Sequence, residues 1–76
     1  MSEIQEIGLA LQQALNDGLI REYAHSAYLE PPISKFRISD GAKEMEIVFD
    51  DRDQLVEPRT RREVVAGLAQ FGISVE

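Results

Sequence analysis

The sequence predicts an α+β fold: a helix, a three-stranded antiparallel meander and a second helix, packed as a two-layer α/β sandwich. Three observations predict it. Apolar residues recur at helical spacing near both ends, over 4–15 and 64–71. Between them, two alternating segments flank Asp40-Gly41, a strong two-residue hairpin signal. A lone hairpin is marginal in water and calls for a third strand. The nearest candidate is 19–29. If that segment is helical instead, the alternative is helix–helix–β-hairpin–helix. Either way, 76 residues predict one domain over 1–76.

The first helix begins with Ser2 as N-cap and Gln5 three residues on, a capping-box spacing. Ile4, Ile7, Leu11, Ala14 and Leu15 share one face. Gly8 lies beside that stripe, where a missing Cβ permits close approach, and Leu9 lies opposite it. Asn16-Asp17-Gly18 ends the helix, with Gly18 suited to a left-handed position. Tyr23 and Tyr28 favour a strand in the next segment, which Pro31-Pro32 terminates.

The hairpin is the clearest signal. Phe36 and Ile38 alternate with Lys35, Arg37 and Ser39; Met45, Ile47 and Phe49 alternate with Glu44, Glu46, Val48 and Asp50. A turn centred on Asp40-Gly41 sets Arg37 opposite Glu44, Lys35 opposite Glu46 and Phe36 opposite Met45. Residues 51–58 read as a connection. The last helix is expected over 59–71, with Thr60 and Glu63 as a capping box and Val64, Val65, Leu68 and Phe71 as its apolar stripe. Gly72 closes it, and Ile73 and Val75 pack back or add an edge strand. Phe36, Met45, Ile47, Val64, Leu68 and Phe71 are the expected core between sheet and last helix.

Composition narrows the function classes. Fourteen acids against eight Lys and Arg give a net charge of −6. That disfavours sequence-independent binding to nucleic acid and to anionic membranes, and favours basic partners. The absence of cysteine excludes disulfides and thiolate metal sites. No basic, apolar leader precedes the first helix and no apolar run approaches the length of a membrane span, so a cytoplasmic protein is expected.

Three constellations are weighed for chemistry. Arg59, Arg61 and Arg62 crowd the start of the last helix, where an anion could meet free N–H groups and guanidinium forks. The plainer reading, favoured here, is a solvated end neutralised by Asp50, Asp51, Asp53 or Glu57. Those aspartates could hold a hard cation, but they lack the glycine and glutamate spacing of a calcium loop and enclose Arg52. His25, the only histidine, has Glu22, Tyr23 and Ser26 nearby in sequence but no catalytic spacing.

The order helix, three strands, helix resembles that of double-stranded-RNA-binding domains, whose second helix is basic, as 59–62 are here. That topology hosts many functions, and the net charge opposes a polyanion ligand, so no residue role follows from it. The expected function is a small non-enzymatic acidic interaction protein: a regulator, inhibitor or accessory subunit that binds a larger protein, with acidic mimicry of nucleic acid as one version. Its expected contact residues are Glu44, Glu46 and Asp50. The alternative is an anion or nucleic-acid binder using Arg59, Arg61 and Arg62. No cofactor or metal is expected, and a chain this short leaves room for self-association.

Overall fold

The structure, a computed structural model, describes residues 2–30 and 32–75. Its elements are α1 (Glu3–Asn16), β1 (Glu22–Leu29), β2 (Pro32–Ser39), β3 (Glu44–Asp50), β4 (Leu55–Glu57) and α2 (Arg61–Ala69). The four strands form one antiparallel sheet in the order β1-β2-β3-β4. The α+β class stands, and the segment 19–29 contributes a strand rather than a helix.

Both ends of α1 follow the local chemistry. Ser2 Oγ accepts from the Gln5 N–H at 3.3 Å, and Gln5 Oε1 accepts from the Ser2 N–H at 3.1 Å. Two of the helix's orphan donors are thereby satisfied reciprocally. At the other end Gly18 takes φ +79. Its N–H reaches Leu15 O, and the Leu19 N–H reaches back to Ala14 O. This is the Schellman closure that a left-handed residue permits.

The hairpin keeps its faces but shifts its register. Pairing runs Phe36↔Ile47, Arg37↔Glu46 and Ile38↔Met45, two residues away from the expected pairs. The reason lies in the turn. Gly41 alone takes positive φ, at +92, and Asp40 stays at the strand end, its N–H donating to Lys43 O. Asp40 Oδ1 accepts from the Ala42 and Lys43 N–H groups, and Oδ2 pairs with Lys43 Nζ at 2.7 Å. These bonds hold the Asp40 carboxyl well below the usual carboxylate range. One positive-φ glycine at the first loop position suits a II′-type turn centred on Gly41-Ala42. A shift of two leaves every side chain on its expected face.

The long charged side chains still find one another, reaching diagonally across the sheet. Arg37 Nη2 meets Glu44 Oε1 at 2.7 Å and Lys35 Nζ meets Glu46 Oε2 at 2.6 Å. Both pairs are solvent-exposed. A double-mutant cycle on Arg37 and Glu44 is expected to give a coupling of about 0.2–1 kcal/mol that fades with added salt.

The second correction is β4. The connection 51–58 contains three residues of strand, joined to β3 across a bulge between Val48 and Phe49. Asp50 builds the turn before it: its Oδ1 accepts from the Arg52 and Gln54 N–H groups at 2.9 Å, and Asp53 stands at φ +60. With a fourth strand, the element order departs from that of the RNA-binding domains. The last helix is shorter than expected, Arg61–Ala69, and Thr60 caps it by accepting from the Glu63 N–H at 3.2 Å. After Gly72 the chain packs back, with Ile73 buried and Val75 partly so, and adds no strand. Pro31 of the expected break lies outside the described residues; Pro32 opens β2.

Ile7, Leu11 and Ala14 of α1 and Val64 and Leu68 of α2 join Phe36, Ile38, Ile47 and Phe49 of one sheet face in a single core. Phe71, Ile20 and Ile73 close it. Of the expected core residues, only Met45 is partly rather than fully buried. On the other sheet face Val48 is also buried.

Candidate interaction surface

The two charged candidates of the sequence do not converge into sites. Arg61 turns to α1: its Nη2 donates to Glu6 Oε1 at 2.8 Å and its Nη1 lies 3.6 Å from Glu3 Oε1. The Glu6 carboxylate holds the guanidinium above its ordinary pKa. The partners are thus the acids of the first helical turn, not the aspartates near in sequence. This removes the conflict of a basic residue at a helix start, because the charge is neutralised across the two helices. Arg59 precedes the cap residue, and both Arg59 and Arg62 are exposed. On the acidic side, Glu44 and Glu46 are paired with Arg37 and Lys35, and Asp50 is engaged in its own turn. Among the described residues, no three His, Asp or Glu side chains come together as a metal site. None of their helices is long and apolar enough to cross a membrane.

A different region gathers apolar groups. A groove of about 540 Å³ opens between α1 and β1, lined by Ile4, Gly8, Leu9, Tyr23, His25 and Phe36, with Gln5 and Gln12 at its rim. The His25 ring stacks on Phe36 at 4.3 Å between centroids, nearly parallel, and Tyr23 flanks the same ring at 6.3 Å. Burial pushes the Tyr23 phenol pKa up, and a hydrogen bond from Gln12 tempers the rise. The lone histidine is therefore part of an aromatic floor. His25 and Phe36 are opposite each other in the β1–β2 register, which explains the stacking.

Glycine usage singles out this groove. Gly18, Gly41 and Gly72 stand at positive φ. A Cβ on Gly67 would lie 2.6 Å from Met45 Cε. Gly8 has neither reason: a Cβ there would sit 3.6 Å from the Phe36 ring, an ordinary contact. The close approach expected at Gly8 is therefore not what holds a glycine there. A mid-helix glycine costs about 1 kcal/mol relative to alanine. What its bare backbone does is leave room in the groove beside the edge of the buried Phe36 ring.

The strand beside the groove is also unusual. The other sheet edge, β4, is three residues long and is followed by Pro58, a short and blunted edge. β1 is eight residues long, and 23–29 contains no charged residue, glycine or proline. Leu29 is 91% exposed, Tyr28 48% and, on the facing helix, Leu9 54%. The ladder fixes which backbone groups face outward. The Asp40 N–H to Lys43 O bond turns the even-numbered residues of β2 toward β3 and the odd ones toward β1. Through the β1–β2 register, Glu22, Ala24, Ser26 and Tyr28 face β2. Tyr23, His25, Ala27 and Leu29 thus present their N–H and C=O groups to the open edge.

Periodicity placed Leu9 on a polar face, and the hairpin's need for a third strand placed His25 in one, but neither gave the groove they share. The uncharged run 23–29 marks the strand that walls it, but 7–16 and 64–75 are uncharged too, so charge alone does not single it out. No protein-family model matches the chain, and no curated protein and no solved structure resembles it at a significant level.

Proposed function

We propose that this chain is a non-enzymatic interaction protein, a regulator or accessory subunit that receives an apolar side chain of a larger protein in the groove between α1 and β1. The observation that carries the reading is Gly8. It stands in mid-helix at a cost in helix stability where neither backbone conformation nor packing requires it, and its effect is to keep the groove open beside Phe36. Tyr23 and His25, backed by the buried Phe36 ring, supply an aromatic floor. Acidic mimicry is the weaker version, because Glu44 and Glu46 are already neutralised by neighbours. An anion site is weaker for the same reason, since Arg61 is held by Glu3 and Glu6.

Two substitutions at one position test this. Gly8→Ala is expected to raise stability by about 1 kcal/mol, read as a higher Tm. Gly8→Met is expected to fold equally well while its side chain lies over Phe36 and fills the groove. A photo-cross-linking residue at Leu9 should then trap a protein partner in the unsubstituted chain and lose it in Gly8→Met. Trapping that persists in Gly8→Met but disappears in Arg59→Glu/Arg62→Glu would move the site to the start of α2. Salt-sensitive binding of DNA or RNA, lost in that arginine pair variant, would favour the nucleic-acid reading instead.

A further inference from the structure

We infer that two copies of this chain associate through β1, their strands pairing antiparallel about a two-fold axis at Ser26, so that two four-stranded sheets become one continuous sheet. The inference rests on the edge backbone and the charge distribution, and does not depend on what the groove binds.

The first argument is the unpaired edge. Tyr23, His25, Ala27 and Leu29 carry one outward N–H and one outward C=O each. Natural sheets protect such an edge with lysine, proline, a bulge or brevity. β1 has none of these between Tyr23 and Leu29. An axis at Ser26 sets Tyr23 opposite the partner copy's position 29 and His25 opposite its position 27. All four outward residues then find hydrogen-bonding partners at once. An axis at His25 or at Ala27 leaves one of the four beyond the paired stretch.

The second argument is side-chain fit under the same symmetry. Antiparallel partners project to the same face. Ala24 meets Tyr28, His25 meets Ala27, Ser26 meets itself, and Tyr23 meets Leu29. Small residues oppose large ones, and the remaining pair is apolar. Leu29 and Tyr28, the apolar groups most exposed on the strand, gain cover this way.

The third argument is electrostatic. At net −6, two copies repel one another over most of their surface. All fourteen acids lie outside 23–29, so pairing along this strand brings no acid into the centre of the contact. The repulsion that remains is local and specific: Glu22 of each copy faces position 30 of the other, where Glu30 stands.

That detail makes the register testable on the intact chain. Sedimentation velocity over a concentration series is expected to show a monomer–dimer equilibrium. Glu30→Lys should tighten it several-fold, more at low salt than at high, since two like-charge pairs become two attractive ones. Ala27→Lys should weaken it at least tenfold, because a charge enters the centre of the pairing. Ala27 is exposed and its N–H does not face β2, so this variant should keep its circular dichroism spectrum and its Tm. Ala27→Pro removes the outward N–H alone and should dissociate the dimer in the same way. A chain that stays monomeric at millimolar concentration overturns the inference. So does a dimer indifferent to both Ala27 variants. A Glu30→Lys variant that dimerises no more tightly at low salt overturns the Ser26 register. Because no partner protein is present in this assay, its outcome is separate from that of the Gly8 experiment.

Discussion

Phe49→Ala is expected to leave the chain largely unfolded at room temperature. Phe49 is completely buried in β3, opposite Leu55, and its ring meets Phe36 edge-on with centroids 6.1 Å apart. Truncating a buried Phe costs about 3–5 kcal/mol, through lost transfer energy and the cavity left behind. A single core in a chain of this length supplies roughly 3–5 kcal/mol in total. The two figures are of the same size, so little folded population should remain. Urea titration followed by far-ultraviolet circular dichroism checks this. A cooperative transition only slightly displaced from that of the parent chain would mean that β3 does not hold the core together.

Leu68→Ala is the second large effect, at about 2–5 kcal/mol. Leu68 is the fully buried centre of the α2 stripe. Its backbone is equally occupied: Leu68 O accepts from the Phe71 N–H and from the Ile73 N–H, both at 3.0 Å. The alanine variant keeps those backbone bonds and loses only the side chain, so the measured loss reports packing alone. Leu68→Met, which nearly conserves volume, should cost less than about 1.5 kcal/mol. If the two variants lose equally, the cost does not come from a cavity.

The elements most legible in the sequence are those whose signals are local and redundant. The Ser2–Gln5 box and the Gly18 closure each require only a few neighbouring residues, and both form as expected. The alternation in 33–50 fixes which side chains enter the core, and a two-residue slip leaves that assignment untouched. The register itself depended on whether Asp40 or Gly41 takes the first loop position. The Asp40 side chain settles that by bonding the loop's own N–H groups, a competition that pattern alone does not weigh. β4 was illegible because three residues beside Pro58 carry no period. The helix-to-helix tie of Arg61 joins positions fifty-five residues apart, so sequence neighbours pointed to the wrong acids.

The groove was illegible for a related reason. Its lining takes Ile4 from the apolar stripe of α1, Gly8 from beside it and Leu9 from the opposite face, and joins them to a strand whose covered and open edges only the ladder can tell apart. Single exposed apolar residues such as Leu9 carry no information until their neighbours are known. Here the neighbours are a bare helix backbone at Gly8 and an aromatic floor on β1 and β2.

Residue-resolved amide exchange along β1 tests the central claim, that the outward edge of this strand is an open surface the chain offers. In dilute solution the Glu22, Ala24, Ser26 and Tyr28 amides should be slow, because they face β2. The Tyr23, His25, Ala27 and Leu29 amides should exchange fast, and should slow when the chain is concentrated. The account is contradicted if the odd-numbered amides are as slow as the even ones in dilute solution, or if they stay fast at concentrations where the chain sediments as a dimer.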